Sequence, residues 1–431
     1  MHIYFSGIGG TAMGPLALIA KQAGYEVSGS DKQTSQYTDY LKAHGIENIH
    51  IGQTAEEISK IHQAKPIDWL VYSSAVPMED PNHPELVFAK DRGIKTSKRD
   101  ELTSKIIADK GLKLVAIAGT HGKTTTTAMA VWLFKQLKVP VSHSVGAKIS
   151  FGDMGAYDPK SQYFVLEADE FDLNFLSFHP YMSLITGIDW DHPDIYPSRE
   201  DYYQVFRQFI DQSEYAAFWQ SDVKRLDHKP TDHQMVLDDD DPKINQLIKL
   251  TGQVNRQNAW LTANSLLSIL NEPAEKLAKL LNDFPGLSRR FEEIVPGLYS
   301  DYAHTPGKIR GALQMAHEVA ADKVVVVYEG LHNLRQHFIK DELKNLFDDV
   351  KHLYIVPSYL AREDQTLELL TPTKILNLLS NKSRQQAETA QLDDKLKQVI
   401  QKHLNDKNLV LCLSAGGGGS LDEWLRREFK K

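Results

Sequence analysis

The amino-acid sequence predicts an α/β protein of three domains. Its 431 residues are too many for one hydrophobic core, since domains usually contain about 100 to 200 residues. In three stretches, apolar segments with the pattern of buried strands alternate with segments of helical periodicity, the last stretch containing KVVVVYEG, HLYIVPS and LVLCLSAGGGG. This alternation is typical of parallel sheets covered by helices. We predict domains at residues 1–108, 109–292 and 293–431, of which the first and the third are Rossmann-like.

The composition excludes several classes of protein. Hydrophobic residues make up 42% and charged residues 25% of the chain, which is typical of globular rather than disordered proteins. A formal charge of −8 disfavours general binding to nucleic acid or to anionic membranes. Cys412 is the single cysteine, and no apolar run approaches the roughly 20 residues that span a bilayer. We predict a cytoplasmic protein without nucleic-acid or membrane partners.

The first stretch begins like a nucleotide-binding unit. The strand-like segment HIYFSG leads into a glycine turn at Gly7, Gly9 and Gly10, which an amphipathic pattern and the strand-like YEVSGSD follow. Gly7, Gly9 and Ala12 fit the spacing GxGxxG/A, and Asp31 follows at about the distance of a ribose-binding acid. This fingerprint by itself also fits an NAD-dependent oxidoreductase, so the glycine turn leaves that class of enzyme open as an alternative.

The second stretch contains a phosphate loop. The apolar segment KLVAIAG leads into the turn GTHGKTT, and a helical pattern follows. In such a loop, backbone N–H groups surround the phosphates, the lysine binds the β- and γ-phosphates, and the hydroxyl after it faces Mg²⁺. The common motif GxxxxGK[ST] requires glycine where this chain has Ile117, so the loop is a short variant. The predicted nucleotide-binding residues are Gly119, Thr120, His121, Gly122, Lys123, Thr124 and Thr125.

Two acidic segments follow the phosphate loop at the predicted ends of two strands that are successive in the sequence. The first, LEADEFD, contains Glu167, and the second, ITGIDWDHPDIY, contains His192. Oxygen ligands at strand ends beside a phosphate loop suit Mg²⁺. We predict Thr124 and Glu167 as metal ligands, and His192 as a ligand of a second cation or as a group that orients its ligand. The central domain is therefore predicted to be a phosphate-loop ATPase domain.

In their order, these motifs resemble the Mur ligases, the ATP-dependent amide-forming enzymes that build the peptide stem of bacterial cell-wall precursors. The similarity covers nearly the whole chain and includes GIGGTAMGPLA, VYSSAV, GTHGKTTT, EADE, GQVNRQNA and DYAHTP. It implies a UDP-binding first domain with contacts at the glycine turn, Asp31 and Ser73. It also implies adenine contacts at Asn255 and Asn258, with ATP and Mg²⁺ as cofactors.

The resemblance further implies a reaction. The carboxylate of UDP-N-acetylmuramate takes the γ-phosphoryl group of ATP, and an amine then displaces phosphate from the acyl phosphate. Arg290 or its neighbour Arg289 is expected to stabilise the transferring phosphoryl group. His304 is expected near the amine or the nucleotide, and Arg335 at the carboxylate of the amino acid. The implied catalytic residues are Lys123, Glu167, His192, Arg290, His304 and Arg335.

Details of the motifs leave the amine open. The GIGG opening and His121 resemble members of the family that use L-alanine, which we favour, whereas TAMGPLA and EADEFD resemble members that attach a preformed tripeptide. Histidines are usual in the family where this chain has Gln53 and Val254, and tyrosine is usual where it has Asn333. A non-catalytic nucleotide-binding protein is a further alternative, and both a monomer and a homodimer fit the sequence.

Overall fold

Strands and helices alternate along most of the chain. The structure is a computed structural model that describes residues 1–190, 195–360, 363–364 and 366–430. His192 lies outside these residues, so its role as a metal ligand stays a prediction. Within the described residues the strands form three sheets, and most neighbouring strands are parallel. This confirms the predicted α/β class.

The first sheet has the strand order β3-β2-β1-β4-β5 and is parallel throughout. Its strands are β1 (His2–Ser6), β2 (Glu26–Asp31), β3 (Ile49–Ile51), β4 (Trp69–Tyr72) and β5 (Lys95–Lys98). Its helices are α1 (Met13–Gln22), α2 (Gln36–Ala43), α3 (Ala55–Ala64), α4 (Ala75–Glu79), α5 (Pro84–Asp91) and α6 (Arg99–Asp109). Ile3 and Phe5 enter one apolar cluster and Tyr4 another, because successive side chains of β1 point to opposite faces of the sheet.

The second sheet has the strand order β12-β11-β10-β6-β9-β7-β8. Its strands are β6 (Lys113–Ala118), β7 (Ser142–Ser144), β8 (Gly155–Ala156), β9 (Tyr163–Glu167), β10 (Met182–Ile185), β11 (Tyr215–Trp219) and β12 (Gln234–Leu237). The accompanying helices are α7 (Lys123–Gln136), α8 (Arg199–Asp211), α9 (Gln220–Leu226), α10 (Pro242–Leu247), α11 (Gln253–Leu270) and α12 (Ala274–Leu280), with 3-10 turns at Phe171–Ser177 and Leu281–Asp283. The strand β6 is buried from Leu114 onward, as its apolar sequence predicts.

The third sheet has the strand order β13-β14-β18-β15-β16-β17. Its strands are β13 (Glu292–Val295), β14 (Leu298–Asp301), β15 (Val324–Leu331), β16 (His352–Tyr359), β17 (Ala387–Thr389) and β18 (Leu409–Leu413). Its helices are α13 (Pro306–Ala320), α14 (Asn333–Leu343), α15 (Pro372–Leu378), α16 (Asn381–Gln385), α17 (Asp394–Asn405) and α18 (Leu421–Phe429). The three apolar segments noted in the sequence form β15, β16 and β18, and these pair in parallel.

Two compact units contain these sheets. The first unit comprises Met1–Ile248 and Asn258–Phe284, and the second comprises Lys249–Gln257 and Pro285–Lys431. The first and second sheets belong to the first unit, and the third sheet belongs to the second unit. The predicted domain boundaries after residues 108 and 292 stay predictions. In the part of the chain that is described, no helix is long and apolar enough to cross a membrane.

Candidate active site

The phosphate loop connects β6 to α7 and needs glycine at two positions. Gly119 and Gly122 have φ values of +130° and +82°, a region that side-chain-bearing residues rarely adopt. A Cβ atom on Gly119 would overlap the hydroxyl of Thr186, and one on Gly122 would lie 2.6 Å from Nδ2 of Asn258. Helix α7 begins at Lys123, directly after Gly122. The local sequence therefore forms the loop conformation on which phosphate binding at a helix N-terminus depends.

Lys123 is held by two oxygen atoms of the first unit. Its Nζ donates to the backbone oxygen of Gly119 at 2.8 Å and to Oε2 of Glu170 at 2.6 Å. Burial alone would lower the pKa of Lys123, but the negative charges of Glu170 and Asp169 and the hydrogen bond to Glu170 together outweigh that effect and raise it. The lysine is therefore a cation beside the loop. The sequence motifs do not single out its partner, Glu170, as a separate functional residue.

Thr124 and Glu167 lie together, as predicted for metal ligands. The hydroxyl of Thr124 donates to Oε1 of Glu167 at 3.0 Å, and the backbone N–H of Gly146 donates to Oε2 at 3.0 Å. These hard oxygen donors beside a phosphate loop suit Mg²⁺, which usually takes one or two carboxylates together with substrate phosphates and water. Among the residues that the structure describes, no group of three or more His, Cys, Asp or Glu side chains is arranged for a metal ion.

The two asparagines of the predicted adenine site have different surroundings. Asn258 belongs to the first unit, is 1% exposed, and lies against Gly122 of the phosphate loop. Within the described residues its Nδ2 has no hydrogen-bond partner, which suits a group that awaits a ligand. Asn255 belongs to the second unit, where its Nδ2 donates to the backbone oxygen of Thr251 at 2.9 Å. The geometry thus favours Asn258 over Asn255 as the adenine contact.

Other loop residues support the backbone. The hydroxyl of Thr120 donates to the backbone oxygen of Asp189 and lies 2.9 Å from the hydroxyl of Tyr202, so this side chain anchors the loop. The backbone oxygen of His121 accepts a hydrogen bond from Thr186. Thr125 lies in the first turn of α7 and is partly exposed.

The glycine turn of the first sheet follows β1. Gly7 has a φ of +82°, and a Cβ atom there would lie 3.3 Å from Cβ of Ser73. The backbone N–H of Gly9 donates to Oδ2 of Asp31 at 2.8 Å, and that of Gly10 donates to the backbone oxygen of Gly7 at 3.1 Å. Asp31 therefore uses part of its hydrogen-bonding capacity to hold the turn. The predicted sugar-nucleotide contacts lie at the switch point between β1 and β4, where ligands of such sheets bind.

A cleft of about 200 Å³ extends from the end of this turn to the metal-ligand candidate Glu167. It is lined by Thr11 and Ala12 beside the turn, by Gly146 and Glu167, and by Arg99 at the start of α6. Of the described residues that line the cleft, Arg99 is the only basic one. Its guanidinium lies 3.6 Å from Oδ2 of Asp169.

The sequence did not single out Arg99 or Gly146. Arg99 follows a lysine in the polar segment TSKRDEL, and Gly146 is one glycine among 26. Their positions could have indicated a role in binding, since Arg99 directly follows β5 and Gly146 lies just beyond β7. Loops at the carboxyl ends of parallel strands are the usual place for binding residues.

Arg289 and Arg290 of the second unit differ in their contacts. Arg289 has a φ of +60°, and its guanidinium donates to the backbone oxygens of Ser414 and Gly416 at 3.0 and 2.9 Å. Both guanidinium groups lie near the ring of Tyr302, at 4.8 and 5.0 Å from its centroid. Arg289 therefore has a structural role, because its guanidinium holds the backbone near residues 414 to 416. Arg290 stays the candidate for contact with phosphate.

His304 and its neighbour Asp301 follow β14. Nδ1 of His304 lies 2.8 Å from the backbone oxygen of Tyr302, which only accepts, so this nitrogen carries a proton. Asp301 is buried and accepts hydrogen bonds from the backbone N–H groups of Phe291 and Ala303 at 2.7 and 2.8 Å. Burial raises the pKa of Asp301, although Arg290 acts in the opposite direction. The geometry gives Asp301 a role in shaping this turn.

Arg335 and Asn333 lie in the first turn of α14. Arg335 is partly exposed and has no hydrogen bond or ion pair with the residues that the structure describes, which suits a carboxylate-binding group. Asn333 is 3% exposed and fastens a following segment: its Nδ2 donates to the backbone oxygen of Glu368, and its Oδ1 accepts from the N–H of Leu370. The residue that replaces the usual tyrosine is thus structural in this chain.

The other two residues that depart from the family motifs, Gln53 and Val254, belong to different units. Nε2 of Gln53 donates to the hydroxyl of Ser6 at 3.2 Å and lies 3.5 Å from Oε2 of the buried Glu85. Gln53 therefore faces the end of β1 in the first sheet. Val254 is 43% exposed in the first turn of α11.

The chain is similar in sequence to known proteins. A model described as the catalytic domain of the Mur ligase family matches residues 2–110, and one described as the Mur ligase middle domain matches residues 117–237. A protein of Acetivibrio thermocellus named UDP-N-acetylmuramate–L-alanine ligase is 30% identical, with 96% of this chain and 93% of that protein covered. A protein of the same name from Fusobacterium nucleatum is 31% identical, with 84% of each chain covered.

Solved structures share the fold. A UDP-N-acetylmuramate–alanine ligase from Thermotoga maritima has a TM-score of 0.76 and 23% identity, with 99% of this chain and 98% of that chain covered. A murein peptide ligase from Psychrobacter arcticus has a TM-score of 0.67 and 19% identity over the same shares of the two chains. Since the family models match more than half of the chain and the relatives match nearly all of it, the chain belongs to the Mur ligase family, as its motifs predicted.

Proposed function

We propose that this protein is an ATP-dependent ligase that joins the carboxylate of UDP-N-acetylmuramate to the amine of L-alanine. The observation that carries the proposal is the cleft that runs from Thr11 and Ala12, beside the glycine turn, to Glu167. Glu167 in turn accepts a hydrogen bond from Thr124, which directly follows the lysine of the phosphate loop. The glycine turn and the phosphate loop, the two predicted phosphate-binding elements, belong to one compact unit. An oxidoreductase has no need of the second element, whereas a ligase that activates a nucleotide-linked carboxylate with ATP uses both.

Arg99 is the proposed contact for the carboxylate that is activated. The carboxylate of the sugar nucleotide has to lie between the diphosphate of that nucleotide and the γ-phosphate of ATP. Among the described residues that line the cleft, Arg99 is the positively charged one. A guanidinium binds a carboxylate through two parallel hydrogen bonds. The present partners of Arg99, Asp100 and Asp169, lie at 3.5 and 3.6 Å, which are loose ion pairs that a substrate carboxylate can replace.

Charge neutralisation explains the residues near the phosphate loop. Thr124 and Glu167 would hold Mg²⁺, which supplies positive charge for the phosphates. Lys123 supplies a fixed positive charge, and the backbone N–H groups of the loop bind phosphate oxygens. The carboxylate oxygen attacks the γ-phosphorus and ADP departs; the amine then attacks the acyl carbon, phosphate departs, and the amine gives up a proton. Each of these events gathers negative charge that the loop stabilises.

The second unit supplies further candidates. Arg290 is proposed to stabilise the transferring phosphoryl group, His304 to contact the amine or the nucleotide, and Arg335 to bind the carboxylate of the amino acid. The proposal that the amine is L-alanine is supported by the names of the relatives in Acetivibrio thermocellus and Fusobacterium nucleatum. A cytoplasmic location and a monomeric or homodimeric state remain predictions.

A panel of amines tests the proposal. Phosphate release is measured with ATP, Mg²⁺ and UDP-N-acetylmuramate, adding L-alanine, glycine, L-serine or the tripeptide in turn. We expect release that depends on both the sugar nucleotide and L-alanine. Release with the tripeptide alone would assign the chain to the tripeptide-joining members, and release that depends on neither substrate would contradict a ligase.

Replacement of Arg99 tests the carboxylate contact. Because Arg99→Ala removes the base from the cleft and leaves the phosphate loop intact, KM for UDP-N-acetylmuramate should rise by a factor of about 10 to 100, which corresponds to the loss of a charged hydrogen bond. KM for ATP should stay within about threefold. Arg99→Lys is the matched control, since it keeps the charge without the two parallel bonds and should have an intermediate effect. Equal changes in both KM values would contradict the assignment.

A further inference from the structure

The carboxylates of the segment EADE point to different partners. Glu167 accepts from Thr124 and Gly146, while Asp169 lies near Arg99. Glu170, the last of the segment, has Oε2 at 2.6 Å from Nζ of Lys123. Its side chain is 1% exposed, compared with 14% for that of Lys123. Glu170 therefore does not share the contacts of the metal-ligand candidate, and its closest partner is the lysine of the phosphate loop.

Two tyrosine hydroxyls anchor Glu170. The hydroxyl of Tyr196 donates to its backbone oxygen, and the hydroxyl of Tyr202 lies 3.4 Å from Oε1. Tyr202 is fully buried, and its hydroxyl also contacts Thr120 of the loop. The carboxylate of Glu170 is thus fixed by its buried surroundings, whereas Lys123 has a long, flexible side chain with three N–H donors.

We propose that Glu170 is a positioning residue that holds Lys123 against the phosphate loop and neutralises it until the phosphates of a nucleotide take over the ammonium group. Lys123 donates to Gly119 and Glu170, so two of its three N–H bonds are occupied before a nucleotide binds. A triphosphate has to compete with the carboxylate for the same positive charge. The inference rests on the proposed use of ATP, and it adds a residue to which the metal and nucleotide motifs assign no such role.

Calorimetric titration with ATP in the absence of the other substrates tests this role. Glu170→Gln keeps the shape of the side chain and removes its charge, so we expect the Kd for ATP to fall about tenfold. Glu170→Asp keeps the charge but withdraws it from Nζ, so its Kd should fall about threefold. Glu57→Gln makes the same replacement in the ion pair with Lys60 on α3 and serves as the matched control; its Kd should equal that of the wild type.

The outcomes separate this inference from the proposed function. Wild-type protein that does not bind ATP would contradict the proposed function itself. Wild-type protein that binds ATP, together with Glu170→Gln and Glu170→Asp variants that bind it equally well or more weakly, would overturn the role of Glu170. A purely structural residue would lower the melting temperature and weaken ATP binding in both variants, so tighter binding is the result that a structural role does not produce.

Discussion

Gly146 provides a sharp test of the proposed metal site, because any side chain at this position would displace the carboxylate of Glu167. Its backbone N–H donates to Oε2 of Glu167 at 3.0 Å, while Thr124 bonds to Oε1 on the other side. A Cβ atom at this position would overlap Oε2 and lie 2.9 Å from Cδ of the same carboxylate. Gly146 is not among the glycines with positive φ, so the backbone accepts alanine and the strain falls on Glu167 alone.

The magnitude follows from the required displacement. Because contacts of a Cβ below about 3.0 Å do not persist, Gly146→Ala must move the carboxylate by roughly 1 Å and break the hydrogen bond from residue 146. A displacement of about 1 Å in an active site costs about a hundredfold in rate. Loss of a hydrogen bond to a charged group, about 1.5 to 3 kcal/mol, gives a similar factor. We expect kcat to fall about a hundredfold and the Mg²⁺ concentration at half-maximal rate to rise.

The assay is the initial rate of phosphate release as a function of Mg²⁺ concentration, with the melting temperature measured in parallel. Since Gly146 is exposed, the melting temperature should change by less than about 2 °C. Gly311→Ala in α13 is the control, because no atom lies within 4 Å of the added Cβ. A Gly146→Ala variant with an unchanged Mg²⁺ titration and a rate within threefold of the wild type would refute the reasoning.

Other replacements test the remaining contacts. Lys123→Ala should abolish phosphate release and lower the melting temperature, because loss of one partner of a buried ion pair costs about 3 to 5 kcal/mol; adding Glu170→Gln should restore the melting temperature but not the activity, and restored activity would contradict the role of Lys123. Asn258→Ala should raise KM for ATP about tenfold and reduce the preference for ATP over GTP, so an unchanged preference would argue against adenine contact. Burial alone would raise the pKa of Glu292, but hydrogen bonds from Arg426 lower it to about 2. The stabilisation by Glu292 is therefore present above its unfolded-state pKa of 4.5 and is lost as the pH falls toward 2. Urea unfolding should show a cost of about 1 to 2 kcal/mol for Glu292→Gln at pH 7, after allowance for solvent screening, and a smaller cost at pH 4; an equal cost at both pH values would contradict the assignment.

The phosphate loop was predictable because its chemistry is local. Gly119, Gly122 and Lys123 lie within five residues, and the backbone conformation of a short glycine turn depends mainly on those residues. The place of Glu167 beside the loop was predictable as well, since it ends an apolar strand and the carboxyl ends of parallel strands meet at one edge of a sheet. Its role as a metal ligand stays a proposal. In the structure β6 and β9 are neighbours, with Ile117 paired to Glu167.

The roles of the residues that depart from the family motifs became clear only from their contacts in the structure. The sequence marks Asn333 as a replaced tyrosine, but its role in fastening Glu368 and Leu370 depends on a segment more than 30 residues away. The choice between Arg289 and Arg290 was open for the same reason. The carbonyl oxygens that bind Arg289 belong to residues 414 and 416.

Taken by itself, the sequence determined the α/β class, the family and the conformation of the proposed phosphate loop, because periodicity and short motifs encode backbone conformation over a few residues. Tertiary structure decided which groups meet: Gly146 with Glu167, Arg99 with Asp169, and Glu170 with Lys123, pairs separated by 21 to 70 positions. Such contacts depend on the order of strands in the sheet and on the loops at their ends. No local pattern specifies that order, since the neighbours of β6 are β9 and β10 rather than β7, the next strand in the sequence.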